Sequence, residues 1–173
     1  SGNVSLTSRS AGAAFSSAKT LIIGLVLTVG DILTDAFVSP TIESYIGTSA
    51  VVSTSGGITV ASYQNYWNGA VLDKKAYAFA QASGGAFVGI NVAHAVADAK
   101  ANVSSFAMPS SVLDANGNIK IEAIAHNKTY AESNGVSGGV VGVGESKATA
   151  TSNGTTQAYL NGDIHDNLVV TNP

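Results

Sequence analysis

No cysteine occurs among the 173 residues, which excludes disulfides and thiolate metal sites. Cysteine-free proteins are common outside bacterial cells, so this absence does not place the chain in a cytoplasm. Charge is also scarce. Charged residues make up 11% of the chain, about half the share of an ordinary soluble domain. Alanine, glycine, serine and threonine fill the gap. Such a surface stays in solution through hydroxyls and amides, or by packing against copies of itself. The net charge is −3, and the basic residues are scattered singly apart from Lys74 and Lys75. No basic patch exists to displace counterions from a phosphate backbone, which argues against nucleic-acid binding. Long apolar runs are missing too. The longest, from Leu21 to Leu27, falls far short of the roughly 20 residues of a membrane helix. Neither a basic segment nor a cleavage site accompanies it, so an export signal is expected upstream.

What is present is repetition. The pattern Gly-x-Ile-x-Val recurs around Val4 and Leu6, Ile58 and Val60, and Ile119 and Ile121, and more weakly at Leu168 and Val170. A small residue before an aromatic recurs at Ser44 and Tyr45, Ser105 and Phe106, and Ala158 and Tyr159. Apolar stretches broken by one glycine centre on Gly24, Gly89 and Gly142, and the last two follow Ser-Gly-Gly at Ser83 and Ser137. Lys75 and Tyr77 are matched by Lys128 and Tyr130. These landmarks keep one order and define units of roughly 50–60 residues. The approximate units are 7–61, 62–122 and 123–173, and the chain is expected to be an internal segment of a longer repetitive polypeptide.

Alanine favours helices, but its spacing here does not. Ala76, Ala78, Ala80 and Ala82 follow a strict period of two, as do the alanines from Ala93 to Ala101, Ala123 with Ala125, and Ala148 with Ala150. That period places each set on one face of a strand. The opposite face of 88–102 runs from Val88 and Ile90 to Lys100 and Asn102, as if leaving a core for solvent. Turns are marked by Asn68-Gly69, Asn116-Gly117, Asn153-Gly154 and Asn161-Gly162. Residues 119–132 and 140–151 each read as a strand of ten or more residues, and 70–75 as one short helix. The expected fold is all-β and elongated. A β-solenoid with large rungs is favoured over a stacked β-sandwich of long antiparallel strands. A parallel β-helix normally has a shorter coil, so each unit is expected to hold two or more coils.

The run Tyr45 to Ala61, the stretch Ser137 to Gly144, and the later Ala148, Ala150 and Tyr159 resemble repeats of giant bacterial extracellular β-strand-repeat adhesins of the filamentous-haemagglutinin-like kind. The likeness is one of pattern and covers most of the chain. It implies secretion, an extended β-rich shaft, and a part in adhesion or in an extracellular layer, fibre or filament. It implies no catalytic residues. The chain departs from even repeats by an insert around 62–75.

His94, His126 and His165 fall at different places in their units, which suits surface positions better than a metal cluster or catalytic pair. No nucleophile elbow and no phosphate-binding loop is read. Nothing ranks one carboxylate pair above another, so a polysaccharide lyase or hydrolase is the minor reading and a non-enzyme the major one. Asp114, Asn116 and Asn118 offer oxygen ligands at the spacing of a calcium loop, but Ile119 and Ala125 stand where that loop needs glycine and glutamate. Asp163 and Asp166 form a second acidic turn. Calcium is therefore a candidate cofactor, with ordinary turn chemistry the stronger reading. The aromatic group Tyr63, Tyr66, Trp67, Tyr77 and Phe79 marks the insert. It suits a satellite core, or else a contact for surface glycans or a neighbouring subunit. Sequons at Asn3, Asn102, Asn127 and Asn153 are no more than chance supplies. The expected partners are neighbouring repeats or copies of the chain. A transmembrane barrel lacks its paired aromatic girdles.

Overall fold

The computed structural model describes residues 2–166, which form fifteen strands and no helix. The chain makes three passes. The first holds β1 (Val4–Ser10), β2 (Ala14–Ile23), β3 (Leu27–Val38), β4 (Thr41–Ile46) and β5 (Val51–Thr54). The second holds β6 (Ile58–Gln64), a small hairpin of β7 (Tyr66–Trp67) and β8 (Ala70–Val71), then β9 (Ala76–Gly85), β10 (Val88–Ala107) and β11 (Val112–Ala115). The third holds β12 (Ile119–Ala125), β13 (Thr129–Gly138), β14 (Val141–Leu160) and β15 (Asp163–Asp166). Corresponding strands stack into four open parallel sheets: β1-β6-β12, β2-β9-β13, β3 and β4 with β10-β14, and β5-β11-β15. Antiparallel pairing is confined, among the described residues, to β7 and β8. The all-β expectation holds, and among the described residues no long strands pair antiparallel.

Register shows what the landmarks mean. Val4, Ile58 and Ile119 lie side by side, as do Tyr45, Phe106 and Tyr159. Tyr77 pairs with Tyr130 and Gly89 with Gly142. Two landmarks are misplaced. Thr28, not Gly24, lies opposite Gly89, and the two Ser-Gly-Gly triplets are offset by one residue, with Ser83 opposite Val136. Every parallel pair joins strands of successive passes, so the units do not subdivide into shorter coils. The weak copy at Leu168 and Val170, and Pro173, lie outside the described residues.

The period-two alanines explain the interior. β9 and β10 face each other, and the alternating alanines Ala76 to Ala82 and Ala93 to Ala99 are almost wholly buried between them, while Ala101 packs beside Ile42 and Val103. Methyl groups on both faces let the two sheets approach closely, and dispersion over many short contacts replaces the bulk of leucine. In the third pass the approach is closer still. A Cβ on Gly135 would overlap the carbonyl oxygen of Glu145, and one on Gly144 would sit 2.8 Å from that of Gly135. The far half of each pass is thicker, filled by Ile46, Ile58, Val60 and Leu113. Pro40 separates β3 from β4, because it has no N–H for the ladder. Its carbonyl still accepts from the Asn102 N–H at 2.9 Å.

Three expectations need correction. Residues 70–75 are not helical: Ala70 and Val71 form β8 and the rest is irregular. The stretch 119–132 is interrupted at 126–128 and is not one strand, whereas the long strand expected over 140–151 is present as part of the 20 residues Val141–Leu160. The apolar end of the outer face of β10 does not enter a core, for it faces away from the alanine layer and Ile90 is exposed.

Candidate functional site

The insert is the largest difference between the described passes. Residues 65–75 occupy a corner that 11–13 and 126–128 turn directly. Asn68 and Gly69 both have positive φ, 46° and 81°, so they form the tight turn that the Asn-Gly pair signals. Asn65, also at positive φ (52°), anchors the insert. Its backbone N–H donates to Ser10 at 2.9 Å, and its carbonyl accepts from Leu72 at 2.8 Å. The side-chain oxygen accepts from the Gly12 N–H at 3.1 Å, and the amide donates to the His126 carbonyl at 3.1 Å. One buried amide thus ties three passes together. No sequence motif singled it out.

Around this corner stand Tyr63, Tyr66 and Trp67. The Arg9 guanidinium lies 4.6 Å from the Trp67 ring and 5.5 Å from that of Tyr63. Tyr66 packs at 5.6 Å from Tyr63 and 5.8 Å from His126. The Tyr63 hydroxyl donates to Glu122 at 2.6 Å. Burial first, and this bond second, push the phenol from 10.0 up to about 12. The same bond, followed by the Lys120 ammonium at 2.9 Å, holds the Glu122 carboxyl below its ordinary range. The cleft between Arg9, Tyr63, Tyr66 and Gly69 holds about 80 Å³. Small-molecule sites usually offer roughly 300 Å³ or more. The Tyr63 and Tyr66 rings pack on each other, on Arg9 and on His126, whereas Trp67 carries Arg9 and stays half exposed.

Tyr77 and Phe79 belong elsewhere. Phe15, Tyr77 and Tyr130 form a ladder at 5.1 and 5.2 Å with nearly parallel planes. Phe79 carries the Lys19 ammonium at 5.1 Å. Beside the ladder, an open groove of about 460 Å³ is lined by Phe15, Tyr77, Asp73, Lys74 and Lys75. The Lys75 ammonium is 5.7 Å from the Tyr77 ring. Next to it, Lys128 pairs with Asp73 at 2.5 Å, a bond that lowers the exposed Asp73 carboxyl.

The candidate calcium ligands do not converge. Asp114 stands between Ser53 and His165 on neighbouring strands and accepts from the Ser53 hydroxyl at 3.0 Å. Asp163 lies opposite Val112, two positions away. The corner 116–118 stacks on its counterpart one pass earlier, since the N–H groups of Asn116 and Gly117 donate to Thr54 and Gly56 and the Asn118 carbonyl accepts from Ile58. The Asp166 side chain lies outside the description. Among the described residues, no three His, Asp or Glu side chains gather as a metal group would require. His94 sits 3.4 Å from Glu145, His126 packs on Tyr66, and His165 is exposed on β15, so the three histidines stay apart.

One string missed in the sequence spells Gly-x-Ser-x-Gly, from Gly135 to Gly139. Ser137 lies within β13, with no strand-to-helix turn, so it lacks the exposed, sharply turned setting of a nucleophile elbow. No family model, curated protein or solved structure matches the chain.

Proposed function

We propose that this chain is a segment of a large-rung β-solenoid that serves as a structural or adhesive shaft in an extracellular or cell-surface protein. The observation that carries this reading is the stacking of like on like through all three passes. Tyr45, Phe106 and Tyr159 stack at 5.3 and 5.0 Å, and Phe15, Tyr77 and Tyr130 form a second ladder on another sheet. In such a stack each unit covers its neighbour's open edge, and stability accrues as a sum over nearest-neighbour interfaces. The chemistry agrees with a scaffold, because the rings and charges described above contact each other rather than converge on an empty centre.

A second reading is a glycan-binding module. The groove beside Phe15 and Tyr77, with Lys75 over the ring, supports it. Tyr77, in the middle of the ladder, offers a sugar only its edges, however, because its faces are taken by Phe15 and Tyr130. Lys75→Ala separates the readings: sugar binding by the wild-type chain that is lost in the variant with an intact fold favours the module, and no sugar binding by the wild-type chain favours the scaffold. The scaffold reading itself is tested by electron microscopy of the native, full-length material with and without a calcium chelator. Rods or filaments with a regular axial repeat support it, and fraying on chelation makes the Asp114 and Asp163 turns real sites. Discrete compact particles refute it.

A further inference from the structure

We propose that the apolar rim where β2 turns into β3, β9 into β10 and β13 into β14 is a lateral contact that takes a second copy of this chain. The inference rests on the shaft reading for its purpose, since side-by-side pairing would turn single shafts into bundles. At the turns, Leu25 is 95%, Val26 72%, Phe87 57% and Val140 73% exposed. The apolar surface continues down both faces, through Ile23 on one and Val143 on the other. It recurs in every pass, so it is a stripe along the stacking direction rather than an isolated side chain. Leu25, Val26, Phe87, Val140, Ile23 and Val143 are each more than half exposed, whereas apolar side chains on a monomer's surface usually stand singly.

Charge selects the occupant. No ionisable group lies within the stripe. The first charge on the β2 face is Lys19, and the first on the β3 and β14 face are Asp31 and Glu145, which flank Val92. A two-fold axis along the stacking direction sets the Lys19 flank of each copy beside the Asp31 flank of the other. Both copies then bury apolar surface between flanks of opposite sign. An anionic bilayer would want clustered lysine and arginine beside the rim, where this chain has two carboxylates.

The absence of cysteine makes the test clean. Single variants Val140→Cys at the rim and Asn102→Cys, exposed on β10 far from it, are oxidised while the association of the 173-residue chain is followed by sedimentation equilibrium. The expected result is a dimer in which Val140→Cys cross-links about tenfold faster than Asn102→Cys. The double variant Leu25→Ser, Phe87→Ser should weaken association about tenfold or more with an unchanged far-ultraviolet spectrum. A wild-type chain that stays monomeric, equal cross-linking of the two cysteines, or a monomer that floats with phosphatidylcholine vesicles overturns the inference. Compact particles that still cross-link through the rim would keep this contact and sink the shaft reading. Single unbundled rods would do the reverse.

Discussion

Asn65 concentrates more of the molecule's connectivity than any other side chain near the insert. Its amide bonds Gly12 and His126 from different passes. Asn65→Ala leaves those backbone groups unpaired in a buried corner, and urea denaturation should show a loss of about 2–3 kcal/mol. Gly135 is constrained in another way, because its missing Cβ is the space in which the Glu145 carbonyl sits. Gly135→Ala should cost about 1–3 kcal/mol through overpacking. Gly47→Ala, where a Cβ meets open space, should leave the denaturation midpoint unchanged. The Tyr63–Glu122 pair adds a pH signature. Glu122 has a lowered pKa, so its contribution is present above the ordinary 4.5 and fades as pH falls through the lowered value. Tyr63 is raised, so its contribution is full below 10.0 and is lost as pH climbs through about 12. The pair is part-exposed, which limits it to less than about 1 kcal/mol. Tyr63→Phe should remove a late phase from the ultraviolet titration of the tyrosines and leave their earlier ionisation in place.

At the scale of elements, strands were legible where composition forced a period. Alternating alanines over 76–82 and 93–101 have no helical reading, and they lie on buried faces. The Asn68-Gly69 turn was equally plain, because few residue pairs accept two positive φ values. Parallel pairing was not legible. Alternation reports which side of a strand is buried, not which strand lies beside it, and the partner of β10 is set by a register more than fifty residues away. The misplaced Gly24 landmark has the same cause: in a chain this rich in small residues, a glycine next to isoleucine recurs without sharing a register. The aromatic group was found in the sequence but not divided. Residues 63–67 belong to the corner, whereas Tyr77 belongs to a ladder whose other members are far off in sequence. Asn65 gave no signal, since a buried staple and a solvent turn use the same residue. Deleting 66–71 and joining its flanks with a short Gly-Ser link should leave the far-ultraviolet spectrum strand-like, with a reduced melting temperature from loss of the Arg9–Trp67 packing.

For the whole molecule, the dimensions of one pass matter most. A strand of 20 residues spans about 65 Å, while one pass adds only about 4.8 Å along the stack. The three passes therefore make a broad, thin slab. One pass alone exposes unpaired edges on both sides. A fragment of residues 58–115 should be unfolded or aggregated, and a monomeric fragment that melts cooperatively would show that the passes do not depend on each other. The most direct measurement on the central claim is X-ray diffraction from aligned full-length material. Stacked parallel passes predict a strand spacing near 4.8 Å along the long axis of the particle. A strand spacing perpendicular to that axis, or no alignment because the particles are compact, would contradict the account.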